Sequence, residues 1–133
     1  MTQRRSDLLS RISDRDETNA DIFISIHMNT FSDSRYSGAQ VFYCRTREGS
    51  QALAENIRRG IATAVDENQP REIKGVDTQI FVLKNATVPA VLVECGFLSN
   101  PAEADLLQTT EYQRKIAWGI FSGIVRYMEE VTM

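Results

Sequence analysis

The sequence predicts an α/β fold, a three-layer sandwich in which a mostly parallel central sheet is flanked by helices. Three observations predict it: alternating apolar residues over 22–27, a nearly continuous apolar run over 88–95, and helical apolar spacing between and after these segments. Strands that alternate with helices are typical of this class, because the crossover helices cover the faces of the sheet. A length of 133 residues suits one compact domain, spanning 1–133.

The first eighteen residues are polar and of mixed charge. Arginines at positions 4, 5, 11 and 15 are interspersed with acidic residues, which predicts a solvated helix rather than a basic arm. The formal net charge of −3 also argues against a nucleic-acid partner. This segment lacks the apolar run of a signal peptide, and no stretch reaches the roughly 20 apolar residues of a membrane span.

Four segments have strand patterns. Over 22–27, three isoleucines alternate with Phe23, Ser25 and His27, so one face is apolar and the other ends in a polar side chain. The run over 88–95 suits a strand buried on both faces, as in a parallel sheet. Shorter strands are predicted at 39–43 and 80–83, the second preceded by a loop at 75–79.

Two longer helices and one short helix are predicted. The stripe formed by Leu53, Ile57 and Ile61 has helical spacing and is completed by residues 64 and 65. The short helix begins at Asn100, a capping residue, followed by Pro101 in the first turn. Glu103 there favours the positive end of the helix. The C-terminal helix has a stripe formed by residues 116, 120 and 124, widened by residues 117, 121 and 128.

Ionisable residues follow the two strongest strands at their carboxyl ends. In open α/β sheets ligands bind at this edge, so His27 and Glu94 share one crevice if their strands are parallel neighbours. A neutral imidazole is a common zinc ligand, and a glutamate beside metal-bound water is a general base. Two alternatives stay open: His27 as a hydrogen-bonded structural residue, and Glu94 in a salt bridge. The residues alone thus indicate a metal-dependent hydrolase without establishing one.

Cys95 offers a different chemistry, that of a cysteine nucleophile. Adjacent strand residues point to opposite faces, however, so Cys95 and Glu94 should not share the crevice. A small buried apolar residue is the commoner role of cysteine. Cys44 is the only other cysteine, and the two lie far apart without a metal-binding spacing, so neither a disulfide framework nor a Cys-rich zinc site is predicted.

Two longer segments resemble the signature segments of a known family. Residues 20–29, ADIFISIHMN, and residues 89–101, PAVLVECGFLSNP, are similar to those of the amidase_3 family, the zinc-dependent N-acetylmuramoyl-L-alanine amidases of bacterial cell-wall remodelling. Further matches lie at 37–43, 81–84 and 103–107, so the resemblance covers nearly the whole chain. Within the family, 34–40 (SRYSGAQ) is most similar to the spore-cortex branch, which acts in sporulation and germination.

The resemblance implies a site and a reaction. His27 corresponds to a zinc ligand, and Glu94 to the catalytic acid/base that activates a zinc-bound water. The implied reaction cleaves the amide between N-acetylmuramic acid and L-alanine in peptidoglycan, outside the cytoplasm in the cell wall or spore cortex. Asn29 is a candidate for substrate binding, with turn capping as its alternative. The resemblance does not identify a protein partner.

The resemblance also implies that part of the family's domain is missing from this chain. The family's zinc site takes a His, a Glu and a second His, and the first two belong to an upstream segment with the first strand. His27 is the only histidine here, so we expect an N-terminally truncated domain, inactive alone, with an apolar sheet edge exposed. Three explanations stay open: a fragment, a non-catalytic wall- or partner-binding relative, or a domain completed by a second polypeptide. Asp21 or Glu94 are the candidate substitute ligands.

Overall fold

The computed structural model describes residues 2–65 and 70–132. It confirms the α/β class: a four-stranded sheet with helices on both faces. In chain order the elements are α1 (Gln3–Glu17), β1 (Phe23–Asn29), β2 (Gln40–Cys44), α2 (Ser50–Ala64), β3 (Lys74–Val76), a 3-10 turn at Phe81–Leu83, β4 (Ala90–Phe97), α3 (Pro101–Leu107) and α4 (Thr110–Thr132). None of the described helices is long and apolar enough to cross a membrane.

The strand order is β1-β4-β2-β3. The β1–β4 and β2–β3 pairings are parallel and the β2–β4 pairing is antiparallel, so the sheet is mostly parallel, as predicted. β4 lies inside the sheet and is buried along nearly its whole length, which explains its continuous apolar run. β1 lies at one edge, where Ile26 and Met28 are 52% and 44% exposed. This is the exposed apolar edge that the sequence predicted.

Helices α2 and α4 cover one face of the sheet. The predicted stripe of Leu53, Ile57 and Ile61 is fully buried there against β4. α2 and α4 approach each other backbone to backbone, because glycines lie at their crossing. A Cβ atom on Gly123 would lie 2.5 Å from the Cα atom of Ile57, and one on Gly119 would lie 2.8 Å from the Cα atom of Ile61. This close contact fixes α4 against the sheet.

Helix α1 and the 3-10 turn cover the other face. The helix exists as predicted, but it is not wholly solvated: Leu8 and Ile12 pack on a cluster that includes Leu92. The Arg15 side chain is buried and donates from Nη1 to the carbonyl oxygens of Val82 at 2.9 Å and Lys84 at 3.0 Å. α1 therefore belongs to the core and borders the site described below.

Three details of the sequence prediction are wrong. Residues 80–83 do not form a strand, since Phe81–Leu83 is a 3-10 turn in which the Val82 carbonyl accepts a hydrogen bond from Arg15. The predicted loop at 75–79 begins inside the short strand β3 (Lys74–Val76). On α4, residues 117 and 121 do not widen the buried stripe, and Phe121 is 53% exposed.

The predicted cap of α3 is confirmed, with Asn100 Oδ1 accepting a hydrogen bond from the Glu103 amide at 3.0 Å.

Candidate active site

His27 and Glu94 lie side by side. They are register partners in the parallel β1–β4 pair, where neighbouring strands lie about 4.8 Å apart. Both line one cavity of about 250 Å³ beneath α1, as the sequence predicted from their positions at the strand ends. α1 contributes Arg4 and Leu8 to its wall, and the segment before the 3-10 turn contributes Gln79. The cavity thus combines an imidazole, a carboxylate and a guanidinium.

The imidazole of His27 is held by two neighbours. Its Nε2 atom lies 2.9 Å from Ser25 Oγ and 3.1 Å from Arg11 Nη1. Because a guanidinium only donates, the contact with Arg11 places the Nε2 lone pair toward it and the ring proton on Nδ1. Burial, and then the positive charges of Arg11 and Arg4, lower the pKa of His27, while Asp7 raises it. The ring is therefore neutral near pH 7, the form that binds metals.

Arg11 also limits access to this ring. Its guanidinium pairs with Asp7 Oδ2 at 3.0 Å while another of its nitrogens contacts Nε2 of His27. A cation can therefore reach His27 only through Nδ1, or through Nε2 after Arg11 moves away, because two positive groups cannot share one lone pair.

Glu94 is half-buried and has one carboxylate oxygen without a hydrogen-bond partner among the described residues. Its Oε2 atom is buried and has no hydrogen-bond partner in the part of the chain that the structure describes. Burial raises the pKa of Glu94 above that of an ordinary glutamate. A buried polar atom without a partner costs about 1–3 kcal/mol, so retaining one calls for a functional reason. Within the described residues Glu94 makes no salt bridge, the alternative that the sequence left open.

Cys95 lies on the opposite side of β4. It lines an apolar cavity with Ile26 and Met28, away from the cavity of Glu94. Burial and then the negative charge of Glu94 raise the pKa of Cys95 to about 12. The thiolate is the reactive form, so this cysteine is unsuited to act as a nucleophile near neutral pH.

Two further polar residues shape the carboxyl edge of the sheet. The Oδ1 atom of Asn29 accepts a hydrogen bond from the Thr30 amide at 2.8 Å, which is a turn-capping contact. Glu103 has a larger structural role than the sequence suggested. Its buried carboxylate accepts hydrogen bonds from the amides of Gly38, at 3.0 and 3.1 Å, and Phe97, at 2.6 Å. The spacing from Asn100 indicated the cap, but not these distant partners.

The described residues do not by themselves fit a catalytic zinc ion. Such an ion takes three protein ligands and one water, and residues 2–65 and 70–132 contain no group of three His, Cys, Asp or Glu side chains able to hold a metal. Asp21 does not belong to such a group. It precedes β1, whose first residue, Phe23, is already about 13 Å from His27 at 3.3 Å per strand residue.

The fold and site define an α/β protein with an imidazole and a carboxylate side by side at the carboxyl ends of two adjacent parallel strands. The family model Amidase_3, N-acetylmuramoyl-L-alanine amidase, matches residues 1–126. The chain therefore belongs to this family.

Several known proteins are similar to this chain over most of its length. It is 37% identical over 128 residues to the germination-specific N-acetylmuramoyl-L-alanine amidase of Bacillus subtilis, covering 96% of this chain and 53% of the relative. The CwlD amidase of Clostridioides difficile, solved in complex with the GerS lipoprotein, has a TM-score of 0.89 and 41% identity, covering 97% of this chain and 66% of that one. The catalytic domain of CwlV from Bacillus (Paenibacillus) polymyxa has a TM-score of 0.82 and 32% identity, with coverages of 92% and 65%. The chain thus spans between half and two thirds of these relatives.

Proposed function

We propose that this chain supplies the acid–base half of the active site of an N-acetylmuramoyl-L-alanine amidase, a peptidoglycan hydrolase. The observation that carries the proposal is the half-buried carboxylate of Glu94, with one buried oxygen that has no partner among the described residues, beside the neutral ring of His27. Membership of the Amidase_3 family supports the choice of bond, the amide between N-acetylmuramic acid and L-alanine.

Glu94 is the proposed proton carrier. It accepts a proton from the attacking water and then delivers that proton to the amino group of the departing L-alanine. A general base works best when its pKa approaches the working pH, and burial shifts the pKa of Glu94 in that direction. We assign Asn29, two residues beyond His27 on the same strand, to substrate binding. Its backbone carbonyl, which accepts from the Leu98 amide at 2.7 Å, keeps that part of the strand beside β4.

We further propose that His27 is one ligand of a zinc ion. The described residues supply too few ligands, so the others would come from polypeptide beyond these 133 residues, in the same protein or in a second chain. The greater length of the relatives supports this, and it implies that the isolated chain is inactive. Arg11 would then have to leave Nε2 of His27, or zinc would bind through Nδ1.

The relatives also support a setting for this activity. The names of the germination-specific and CwlD amidases favour action on peptidoglycan outside the cytoplasm, in the cell wall or spore cortex, during sporulation and germination. CwlD was solved with the GerS lipoprotein, so we include a protein partner in the proposal.

A chimaera tests the proposal. The chain would be joined to the part of the Bacillus subtilis germination amidase that it does not match, and release of L-alanine-terminated peptides from peptidoglycan would be measured. We expect turnover in the chimaera and none in the isolated chain. Glu94→Gln should lower kcat by about 10²–10⁴-fold and leave the zinc content unchanged, since an acid–base residue acts on protons. His27→Ala should remove the zinc. Undiminished turnover by the Glu94→Gln chimaera would refute the proposal.

One observation favours a second function, a non-catalytic relative that binds wall fragments or a partner. The described residues contain no three-ligand metal group. A binding protein of this kind would retain muropeptide affinity after Glu94→Gln, bind no zinc, and stay inactive in the chimaera. The amidase proposal predicts instead that the chimaera binds zinc and cleaves the amide.

A further inference from the structure

An arginine and three aromatic rings form a cluster at the carboxyl edge of the sheet, which we call the Arg71 cluster. The guanidinium carbon of Arg71 lies 4.9 Å from the ring centre of Tyr36 and 5.4 Å from that of Phe97. The centres of these two rings are 6.1 Å apart, and the Phe31 ring lies against Tyr36 at 4.6 Å between centres, tilted by 58°. Phe31 and Tyr36 are 50% and 40% exposed. Aromatic faces hold the guanidinium in a defined plane.

The positive charge of Arg71 is not neutralised within the described residues. Its Nε atom donates to the Ser37 carbonyl at 3.3 Å, and no carboxylate of residues 2–65 or 70–132 lies within ion-pair distance of it. The nearest acidic neighbour in the same cavity is Asp33, which pairs with Arg35 at 2.7 Å. This open cavity of about 340 Å³ therefore has a net charge of +1 from Asp33, Arg35 and Arg71.

The cluster is held at a fixed distance from the catalytic pair. Phe97 follows Glu94 by three residues on β4, but a β-bulge lies between them, because their partners on β1, His27 and Asn29, are only two residues apart. The span is therefore about 7 Å at 3.3 Å per residue. The loop that carries Phe31 is tied to the end of β4, because the Phe31 amide donates to Ser99 Oγ at 3.0 Å. Glu103 binds the amides of Gly38 and Phe97, so both sides of the cluster are anchored to one buried carboxylate.

We propose that Arg71, presented on the rings of Tyr36 and Phe97, binds a carboxylate of the stem peptide two or three residues beyond the scissile bond. An extended chain covers about 3.3–3.6 Å per residue, so about 7 Å corresponds to roughly two residues, and the guanidinium of Arg71 lies a further 5.4 Å from the ring centre of Phe97. In peptidoglycan, L-alanine is followed by glutamate and then commonly by a diamino acid, both with free carboxylates. A guanidinium binds a carboxylate through two parallel hydrogen bonds. The subsite rests on the proposed amidase function and adds a specificity for acidic peptides.

Binding, rather than turnover, tests the subsite. The probes are muramoyl-L-alanyl-D-glutamyl-diaminopimelate and the same compound with its carboxylates amidated, titrated by calorimetry against the full chain. The unmodified chain should bind the acidic probe at least tenfold more tightly. Arg71→Gln should abolish that preference without weakening the amidated probe. Arg71→Lys should restore part of it, because lysine keeps the charge but lacks the planar fork.

The controls separate folding from recognition. Arg126→Gln removes an exposed arginine of α4 and should leave both affinities unchanged. Tyr36→Leu keeps an apolar contact but removes the ring face, and should reduce the preference severalfold with an unchanged melting temperature. Equal binding of the two probes, no binding of either, or an unchanged preference in Arg71→Gln would overturn the inference. Preferential binding by a protein whose completed chimaera cannot cleave the amide would uphold the subsite and refute the amidase proposal.

Discussion

Replacement of Glu103 by alanine is predicted to be among the most damaging single changes at the carboxyl edge of the sheet. The carboxylate is buried and accepts hydrogen bonds from two buried backbone amides, those of Gly38 and Phe97. Its removal leaves both donors without an acceptor, at about 1–3 kcal/mol each, or about 2–6 kcal/mol in all. Domains of this size are stable by only about 5–15 kcal/mol, so this is a large fraction of the free energy of unfolding.

Urea denaturation and amide hydrogen exchange measure this effect together. Glu103→Ala should lower the denaturation midpoint and speed exchange at the Gly38 and Phe97 amides. Glu103→Gln keeps one acceptor oxygen and should lose about half as much. Asp105→Ala is the matched control, since it removes an exposed carboxylate from the same helix and should change stability by less than about 0.5 kcal/mol. A Glu103→Ala protein with wild-type stability and both amides still protected would refute the reasoning.

Three further changes test other contacts. Glu94→Gln should stabilise the fold at pH 7, because it removes the charge of a half-buried carboxylate while leaving a polar atom in the same place. Because the pKa of Glu94 is raised in the folded state, this gain should disappear below about pH 4, where the carboxyl is protonated in both states. Arg11→Gln should raise the pKa of His27 part of the way to its ordinary value, since burial is the larger cause of the shift; the single histidine resonance reports it by NMR. Gly123→Ala should destabilise by about 1–3 kcal/mol in thermal denaturation, because the new methyl group would lie 2.5 Å from the Cα atom of Ile57.

Each of these changes has an outcome that contradicts it. Equal melting temperatures for Glu94→Gln and wild type at pH 7 would mean that the carboxylate has found a partner. An unmoved His27 titration in Arg11→Gln, matching the Arg126→Gln control, would show that the contact is absent in solution. For Gly123→Ala, the sign of the stability change is the test. Helix propensity alone would make alanine stabilising by up to about 1 kcal/mol, so a gain in stability would disprove the close helix contact.

The elements with long, periodic patterns were predictable from the sequence. The stripe of Leu53, Ile57 and Ile61 identified α2, and the continuous apolar run identified β4, because burial along a whole element leaves a clear period. β3 has only three residues, Lys74–Val76, including a glycine, which is too few for any period to appear. The run at 80–83 was ambiguous for the same reason, and the partner that decided its shape, Arg15, lies about seventy residues away in the chain.

The candidate site was predictable to a similar degree. Strand-end positions placed His27 and Glu94 in one crevice, and the structure confirms that arrangement. The sequence could not indicate the neighbours that distant segments contribute. These are Arg11 beside the imidazole, and Glu103, which binds the Gly38 amide at the end of the β1–β2 connection. Side chains from α1 reach the site only through tertiary packing, and mixed charge made that helix look purely solvated. Their roles depend on three-dimensional contacts that no local pattern encodes.

The reversal of β2 relative to β4 has a consequence for how this protein can diversify. Because β2 begins at the edge where β1 ends, the chain between them, residues 30–39, joins the two strands without crossing the sheet. That connection carries Tyr36 and Phe31, and its Gly38 end is bound by the Glu103 carboxylate of α3. Insertions, deletions and exchanges over residues 31–36 would change the aromatic wall of the Arg71 cluster while β1, β2 and β4 keep their register. The proposed ligand-binding surface and the sheet that supports it are thus encoded in largely separate parts of the sequence, so selection could change the first while the second is kept.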